Sequence, residues 1–347
     1  MQKDRITMSD TTKPVGLFLG AEEAIARAYA ADVRNELAQR LTLLDRCCYP
    51  ACFSGDHPTD AFRDVAYIFS TWGMPALTKE EVKRVFPSLK AVFYAAGSVQ
   101  HFARPFLANG VKVFSAWGAN AVPVAEVTAA EIILANKGFF QTVHHGQSDS
   151  WTEHDRGTPY PGNYHTRVGL LGAGMIGTLV IDRLKSNDLD VLVFDPFLTA
   201  ERAAELHVTK VEKPEELFEH CSVISNHLAD NPQTAGLIDR TCFEKMGHNA
   251  VFLNTGRGRQ VNEGDLIAAL TEQPTRVAVL DVTDPEPPEA GSPLYELPNV
   301  FLTPHLAGSL GNEVQRMGET MLNAFLLYIQ GKPTNCEVNE EMLATMA

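Results

Sequence analysis

The glycines at Gly172, Gly174 and Gly177 constrain the fold of this chain more than any other feature. They follow an apolar run at 167–171 and precede an apolar segment at 175–184 that is predicted to be a helix. A glycine loop between a strand and a helix is typical of dinucleotide-binding domains. The three glycines in turn permit a tight turn, the approach of a pyrophosphate to the backbone, and close packing of the helix on the sheet.

An acidic residue indicates which dinucleotide this loop would bind. Asp195 ends the predicted strand 190–194, which is the next strand along the chain. A carboxylate at this position accepts hydrogen bonds from the ribose hydroxyls of an adenosine and repels a 2′-phosphate. We therefore predict NAD rather than NADP as the cofactor.

Short apolar runs alternate with helical segments along the chain, which is the pattern of doubly wound parallel sheets. Predicted strands in the first third are 15–19, 66–70, 91–95 and 111–115. Predicted strands in the later part are 167–171, 190–194, 223–225, 250–254, 276–280 and 300–302. Predicted helices include 21–41, 79–86 with Thr78 as N-cap, 122–140 with Pro123 in its first turn, and 311–331.

A change in this pattern near residue 120 predicts two α/β domains. We expect a nucleotide-binding domain at 121–308, inserted into a second domain formed by 1–120 and 309–347. The second domain is expected to be discontinuous because the segment around the helix at 311–331 is too short to be a domain by itself. We expect that helix to pack back on the first part of the chain.

The charge balance excludes several classes of partner. The chain has 347 residues, with 43 Asp and Glu against 29 Lys and Arg, and a net charge of −14. Phosphate backbones and anionic lipid surfaces would repel it, which disfavours nucleic acid as a partner. The apolar runs are short and interrupted by charge, so no membrane span of about 20 residues is expected. The N-terminus has mixed charge and no secretory pattern, so we expect a cytoplasmic location.

Cys47, Cys48 and Cys52 lie close enough in sequence to suggest a metal site. Zinc sites normally need further Cys or His partners at set spacings, and no second pair follows these cysteines. We therefore expect no metal and regard the three cysteines as structural or incidental. The alternative is a metal-dependent enzyme, which metal analysis of the purified protein would detect.

Three polar residues follow predicted strands of the later part, at the edge where open α/β sheets bind ligands. Arg257 has a planar guanidinium that suits bidentate binding of a carboxylate. His305 follows Pro304, and imidazole is the usual group for proton transfer near neutral pH. Glu286 beside His305 would stabilise the protonated ring. Taken singly, each residue also fits an ordinary role, as a surface ion pair, a packed histidine and a solvated loop acid.

Several motifs in this order resemble the D-2-hydroxyacid dehydrogenases. The resemblance covers most of the chain and is strongest from Asn120 to Ser309. The segments that carry it are Val124-Ala-Glu126, Val168-Gly-Leu-Leu-Gly-Ala-Gly-Met-Ile-Gly177, Asn254-Thr-Gly-Arg-Gly258 with Val261-Asn-Glu263, Asp281-Val282 with Glu286-Pro287, and Thr303-Pro-His-Leu-Ala307.

The resemblance implies a Rossmann NAD-binding domain inserted into a flavodoxin-like substrate domain, in a homodimer. The implied activity is hydride transfer between NAD(H) and a small 2-oxo or 2-hydroxy acid. Arg257 would bind the substrate carboxylate and carbonyl, His305 would be the general acid/base, and Glu286 its partner. The residues assigned to the cofactor by the glycine loop and the resemblance are Gly172, Gly174, Met175, Ile176, Gly177, Asp195, His227, Thr255 and Asp281.

The chain departs from the family pattern in two loops. Ala96-Gly-Ser-Val-Gln100 stands where many relatives have Gly-x-Asp, so the substrate cannot be transferred from one subfamily. Ala229-Asp230 stands where Pro-Leu is usual after His227, and we expect only an adjusted cofactor loop. Formate dehydrogenases carry Gln at the position of Glu286, which disfavours formate as the substrate.

Candidate substrate-binding residues in the first domain are Trp72, Gly97 and Ser98, together with Arg257 from the other domain. Trp72 would either line the substrate pocket or pack as a surface aromatic. A second function class stays open, namely an NAD-sensing, corepressor-like binding protein that retains Arg257, Glu286 and His305. Turnover of a 2-oxo acid would distinguish the enzyme from this alternative.

Overall fold

The computed structural model describes residues 13–44, 59–143 and 160–344. Within them the chain divides into two compact units. The first unit comprises the chain up to Ala119 together with Gly311–Leu343, and the second consists mainly of Asn120–Leu310. The first unit is therefore discontinuous in sequence.

In the described part of the chain, the first unit is built on a six-stranded sheet. Its strands are β1 (Val15–Leu19), β2 (Thr42–Leu43), β3 (Val65–Ser70), β4 (Ala91–Tyr94), β5 (Lys112–Ser115) and β13 (Glu337–Val338). They are arranged in the order β13-β5-β4-β3-β1-β2, and every pair is parallel except β13 with β5. The order β2-β1-β3-β4-β5 is that of flavodoxin-like folds.

The helices of the first unit cover this sheet. They are α1 (Glu22–Ala28), α2 (Ala31–Arg40), α3 (Lys79–Val85), α4 (Ala103–Leu107) and α12 (Glu313–Ile329). The predicted single helix at 21–41 is wrong, because the chain leaves helical geometry at Tyr29. The Tyr29 side chain is fully buried, and its hydroxyl oxygen lies within hydrogen-bond distance of the carbonyl oxygens of Ser70 (3.0 Å) and Phe93 (2.8 Å), which share its single proton. The predicted N-cap of α3 is confirmed as a capping box formed by Thr78 and Glu81.

An aromatic cluster on the sheet explains why the last helix belongs to the first unit. The rings of Phe69, Phe93 and Phe114 stack in turn, with centroids 5.3 Å and 4.7 Å apart. Phe325 of α12 meets Phe93 edge-on, at 5.5 Å between centroids. A Cβ at Gly318 of α12 would lie 1.9 Å from a carbonyl oxygen of α1, so only glycine allows the two helices to approach this closely.

Among the residues that the structure describes, the second unit is built on a seven-stranded sheet in which every pair is parallel. The strands are β6 (Tyr164–Leu171), β7 (Asp188–Phe194), β8 (Thr209–Val211), β9 (Val223–Asn226), β10 (Val251–Asn254), β11 (Val277–Leu280) and β12 (Val300–Leu302). Their order is β12-β11-β10-β9-β6-β7-β8, so the chain changes direction across the sheet between β6 and β9. Ligands of such sheets bind at this switch point, beyond the carboxyl ends of the strands.

The helices associated with this sheet are α5 (Trp117–Ala135), α6 (Phe139–Thr142), α7 (Met175–Leu184), α8 (Ala200–Leu206), α9 (Pro214–His220), α10 (Arg240–Phe243) and α11 (Glu263–Glu272). The bounds predicted for the helix at 122–140 are wrong. It begins at Trp117, which places Pro123 inside the helix, and it ends at Ala135. Gly138, with a left-handed φ of 69°, separates it from α6.

Helix α5 also corrects the expectation that no segment approaches the length of a membrane span. This helix is long and apolar enough to cross a membrane by length and composition alone. Core helices have the same properties, and several residues of α5, including Val124, Thr128 and Ile132, are buried within the protein.

Candidate active site

The glycine loop lies at the switch point, between β6 and α7. Gly172 has a left-handed φ of 94°, and a Cβ there would lie 2.7 Å from the carbonyl oxygen of His227. A Cβ at Gly177 would lie 2.1 Å from the carbonyl oxygen of Gly172. At Gly174, no heavy atom of the described residues beyond its chain neighbours lies within 4 Å of the Cβ position. The amino end of α7 is therefore open to an anion and fits the pyrophosphate of a dinucleotide.

The residues after Gly174 differ in their surroundings. Met175 is about half exposed, whereas Ile176 packs against the core between α7 and the sheet. The apolar side chain at Ile176 thus anchors the first turn of the helix, and the turn itself remains accessible.

His227 follows β9, on the other side of the switch point. Its backbone N–H donates to the carbonyl of Leu171 (2.7 Å), and its Nε2 lies 2.9 Å from the hydroxyl of Ser225. Burial lowers the pKa of His227 to about 3, so the ring is neutral. Nδ1 is buried and has no hydrogen-bond partner within the described residues. A buried nitrogen of this kind beside the glycine loop is available to a bound cofactor.

Asp195 lies beside the glycine loop, directly after β7. Its Oδ2 accepts a hydrogen bond from the backbone N–H of Ala173 (2.8 Å), and its Oδ1 accepts one from Phe197 (2.8 Å). These bonds fix the carboxylate in place. Each carboxylate oxygen can accept a second hydrogen bond, so the group can also accept from ribose hydroxyls.

Thr255 and Arg257 follow β10, the neighbour of β9. The Thr255 hydroxyl lies 3.1 Å from the hydroxyl of Thr128 on α5, and both are buried. The Arg257 guanidinium is partly buried, and its Nη1 donates to the carbonyl of Gly256 (2.7 Å). A Cβ at Gly258 would lie 2.0 Å from the backbone of Thr283, so this loop packs directly on the segment that follows β11.

Asp281 follows β11 and is buried. Its Oδ1 accepts hydrogen bonds from the Thr303 hydroxyl (2.7 Å) and the Leu306 N–H (2.7 Å), and its Oδ2 accepts one from the Ala307 N–H (2.9 Å). Its carbonyl accepts from the N–H of His305 (3.0 Å). Asp281 therefore holds the loop that carries His305.

His305 and Glu286 form a hydrogen-bonded pair at the same edge. His305 Nδ1 lies 2.7 Å from Glu286 Oε1, and both side chains are nearly half exposed. His305 has a left-handed φ of 53°, which is uncommon for a residue with a side chain. The loops after β10, β11 and β12 thus place Thr255, Arg257, Asp281, Glu286 and His305 at one edge of the sheet, and hydrogen bonds join Asp281, His305 and Glu286 directly.

Trp72, Gly97 and Ser98 belong to the first unit, where they follow the adjacent strands β3 and β4. Trp72 lies in an exposed turn, and Gly97 and Ser98 are partly buried. The ring of His101, through Nε2, lies 3.0 Å from the carbonyl of Met74 and so joins the two loops. The three residues therefore share one edge of the first sheet.

The three cysteines considered for a metal site, Cys47, Cys48 and Cys52, lie outside the described residues. Within 13–44, 59–143 and 160–344, no group of three or more His, Cys, Asp or Glu side chains could hold a metal ion.

Three polar residues near this edge were not predicted from the sequence, and two of them, Asn226 and Gln260, are fully buried. Asn226 and Gln260 hydrogen-bond to each other and to the segment that carries Arg257. Glu131 of α5 has a buried Oε2 without a partner in the described chain. Burial, and secondarily the charge of Asp281, raise the pKa of Glu131 to about 7. Of these three residues, only Asn226 could have been predicted from the sequence. It ends a predicted strand, as Asn254 does in the neighbouring parallel strand.

Residues 129–307 match the family model of the D-isomer specific 2-hydroxyacid dehydrogenase, NAD binding domain. The D-3-phosphoglycerate dehydrogenase of Archaeoglobus fulgidus is 31% identical over 232 residues, which cover 67% of this chain and 43% of that relative. The chain thus spans less than half the length of this relative.

Many solved structures share this fold. A phosphoglycerate oxidoreductase from Rhizobium etli has a TM-score of 0.77 at 20% identity, covering 95% of this chain and 100% of the other. A glyoxylate reductase from Paecilomyes thermophila has a TM-score of 0.75 at 21% identity, covering 95% of this chain and 99% of the other. Together with the two sheets, which are parallel except at β13, these likenesses confirm the predicted fold class.

The matched region contains the glycine loop, Asp195 and the strand ends described above, and its family binds NAD. The prediction of NAD as the cofactor is therefore confirmed. Because the match spans about half of the chain, the protein belongs to the D-isomer specific 2-hydroxyacid dehydrogenase family.

Proposed function

We propose that this protein transfers a hydride between NAD(H) and C2 of a small 2-oxo or 2-hydroxy acid. The observation that carries the proposal is the 2.7 Å contact between His305 and Glu286, on a loop held by Asp281. This pair lies at the carboxyl edge of the sheet that also carries the glycine loop. An acid/base pair and a dinucleotide site on one sheet edge fit hydride transfer coupled to proton transfer.

Arg257 binds the substrate in this proposal. Arg257 lies in the loop after β10, and β10 pairs with β11, the strand that ends just before Asp281. The planar fork can form two charge-assisted hydrogen bonds to the carboxylate of a 2-oxo acid, and it can also polarise the carbonyl oxygen at C2. Arg257 therefore recognises the carboxylate and the C2 oxygen, which every such substrate has.

His305 is the proposed general acid/base. Because Nδ1 faces Glu286, the opposite ring nitrogen, Nε2, is left to transfer the proton. In reduction, protonated His305 gives its proton to the carbonyl oxygen, which becomes the hydroxyl. In oxidation, the neutral ring takes that proton back. The Glu286 carboxylate stabilises the positive charge of the protonated ring.

The residues proposed to hold the dinucleotide are Gly172, Gly174, Met175, Ile176, Gly177, Asp195, His227, Thr255 and Asp281. When bound, NADH supplies the hydride that reduces C2. The glycine loop would accommodate the pyrophosphate and Asp195 the adenosine ribose. His227, Thr255 and Asp281 lie after β9, β10 and β11, at the same edge of the sheet as the glycine loop. Asp281 also holds the loop that carries His305.

The proposed substrates are small acids of the glyoxylate and hydroxypyruvate type, or another D-2-hydroxy acid. Trp72, Gly97 and Ser98 are proposed to contact the substrate from the first unit. A relative named D-3-phosphoglycerate dehydrogenase and a structure named glyoxylate reductase support this class of small acids. The group that the substrate carries beyond C2 is to be identified by measuring turnover of different 2-oxo acids.

A panel of 2-oxo acids tests the proposal. Glyoxylate, hydroxypyruvate, pyruvate, and branched and aromatic 2-oxo acids are supplied with NADH, and its consumption is followed by absorbance. We expect turnover of at least one small acid, and loss of that turnover in His305→Ala. A protein that turns over none of them, yet self-associates in response to NADH, would instead be an NAD-sensing binding protein.

We also propose that the protein is a homodimer in which the second unit contacts a second copy. Leu134, Phe139 and Tyr164 are exposed apolar residues of that unit. A hydrogen bond from the N–H of Gly162 to the carbonyl of Asn136 (2.9 Å) joins the segments that carry Tyr164 and Leu134. Sedimentation of the wild type and of Leu134→Glu tests this assignment. A wild-type monomer at micromolar concentration would contradict it.

A further inference from the structure

Three amide side chains lie fully buried around the backbone of Arg257. They are Asn226 at the end of β9, Asn254 at the end of β10, and Gln260 at the end of the short 3-10 helix Gly258–Gln260. Their exposed fractions are 0%, 1% and 0%. Buried amides destabilise a protein unless they are hydrogen-bonded, so their partners indicate what they hold in place.

Gln260 uses its full hydrogen-bonding capacity. Its Oε1 accepts from Asn226 Nδ2 (2.7 Å) and from the backbone N–H of Arg257 (3.2 Å). Its Nε2 donates to the carbonyl oxygens of Leu228 (2.8 Å) and Ala229 (3.0 Å). A carboxamide has two donor hydrogens and two principal acceptor sites, and all four are used here. An aliphatic side chain or a carboxylate could not make this set of bonds.

The two asparagines complete the network. Asn226 Nδ2 also donates to Asn254 Oδ1 (3.0 Å), and Asn226 Oδ1 accepts from the N–H of Leu228 (3.2 Å). Asn254 Nδ2 donates to the carbonyl of Arg257 (3.3 Å). The backbone N–H and the carbonyl of Arg257 are therefore both held by this network.

The network leaves no space between itself and the segment that carries Arg257. A Cβ at Gly256 would lie 2.9 Å from both Asn226 Nδ2 and Gln260 Oε1. The backbone at Gly256 therefore lies directly against the amides. Any shift of the Gln260 side chain must displace the backbone from which the Arg257 guanidinium extends.

We propose that Gln260 is a positioning residue for substrate binding. It holds the backbone of Arg257 so that the guanidinium meets the substrate carboxylate, while Asn226 bonds to Gln260 and Asn254 bonds to Asn226. This inference rests on the proposed function, in which Arg257 binds that carboxylate. Precise placement matters because a misplacement of about 1 Å can reduce a rate by about 100-fold.

Two substitutions of Gln260 separate its contact with Arg257 from its contacts with the loop after His227. Gln260→Leu and Gln260→Glu both lose the donors to Leu228 and Ala229. Only Gln260→Glu keeps an acceptor for the Arg257 N–H. In Gln260→Leu we expect kcat/KM for the 2-oxo acid to fall by about 10- to 100-fold, mainly through KM, while the Kd of NADH changes little. Gln260→Glu should retain clearly more of kcat/KM. Equal losses in the two variants would overturn the proposal, because the loop contacts would then account for the effect.

The matched control is Arg259→Gln in the same 3-10 helix. This change breaks an exposed ion pair with Asp230 (2.7 Å) that lies outside the amide network. We expect it to leave kcat/KM and KM near their wild-type values. A loss as large as that of Gln260→Leu would show that any disturbance of this helix suffices, and would also overturn the proposal.

A double-mutant cycle tests whether Gln260 acts through Arg257. In an Arg257→Ala background, Gln260→Leu should cause no further loss of kcat/KM, whereas additive losses would contradict the proposal. Gln260→Asn, which withdraws the amide from Arg257, replaces Gln260→Leu if that variant does not fold. Unchanged kcat/KM in Arg257→Ala alone would refute the proposed function. An impaired Arg257→Ala beside a normal Gln260→Leu would refute only the role of Gln260.

Discussion

His305 Nδ1 and Glu286 Oε1 are 2.7 Å apart, which determines which side of the imidazole is engaged by the protein. The two ring nitrogens point in different directions, so a carboxylate at Nδ1 leaves Nε2 for the substrate. The His305 N–H in turn donates to the carbonyl of Asp281 (3.0 Å). Ring orientation and loop position are thus fixed by two separate acidic residues.

Removal of the imidazole should abolish most of the turnover. In His305→Ala, kcat for the best 2-oxo acid should fall by about two to four orders of magnitude, because that is the usual contribution of general acid/base catalysis. NADH binding, measured by fluorescence titration, should remain. Turnover close to that of the wild type would eliminate His305 as the proton donor.

Glu286→Gln should reduce kcat without removing it. The amide can still hold the ring in place, but it lacks the negative charge that stabilises the protonated form. We expect a smaller loss than in His305→Ala, and little additional loss when both are changed, because the two residues act as one unit. Glu289→Gln, an exposed acid in the same loop, is the control of equal charge. A fall in kcat of the same size in that control would point to net charge as the cause.

Arg257 should be required for recognition of the substrate and not of the cofactor. Arg257→Ala should lower kcat/KM strongly, and Arg257→Lys should restore only part of it, because an ammonium group lacks the planar fork. Steady-state kinetics with the best 2-oxo acid and a separate titration with NADH measure the two properties. A selective loss of NADH affinity would contradict this assignment.

Asp195 should discriminate between the two dinucleotides. The wild type should bind NADH more tightly than NADPH by at least about tenfold, which corresponds to about 1.4 kcal/mol. In Asp195→Ala the difference should narrow, because the carboxylate no longer repels the 2′-phosphate. Calorimetric titration with both nucleotides gives the two dissociation constants. Equal constants in the wild type would refute the prediction.

Glu131 should make stability depend on pH. Its pKa is raised to about 7 by burial, and secondarily by the charge of Asp281, whereas the unfolded chain ionises near the ordinary value of 4.5. As the pH rises from about 4.5 to about 7, Glu131 loses its proton in the unfolded state but keeps it in the folded state, so the free energy of unfolding falls. Glu131→Gln should become progressively more stable than the wild type over this range, by at most about 3 kcal/mol. Urea unfolding at several pH values measures this difference, and a constant difference would contradict the prediction.

Much of the second unit could be predicted from the sequence, because its buried parallel strands are nearly continuous apolar runs. Helix α7 was predicted at its observed bounds, Met175–Leu184, since glycines mark its start. The break at Tyr29 could not be predicted. It depends on carbonyl groups of Ser70 and Phe93, which lie far away in sequence. The edge strands β2, β8 and β13 have only two or three residues each and carry no periodic pattern.

The site was predictable where a residue type follows a strand, and not where packing alone gives a polar group its role. Arg257, Glu286 and His305 each follow a predicted strand, and the structure pairs the last two. Gln260 and Glu131 lie within segments that read as an ordinary turn and an ordinary helix. Their importance arises from burial, which depends on which elements pack over them.

The close contact between Gly318 and α1 also determines the order in which the chain can complete its fold. Synthesis proceeds from the N-terminus, so α12 is made only after the whole of the second unit has been synthesised. Until then the aromatic cluster around Phe93 lacks Phe325 and remains open on one side. The first part of the protein to be translated therefore gains its last helix only when most of the chain has been made, and the aromatic surface that Phe325 covers stays uncovered until then.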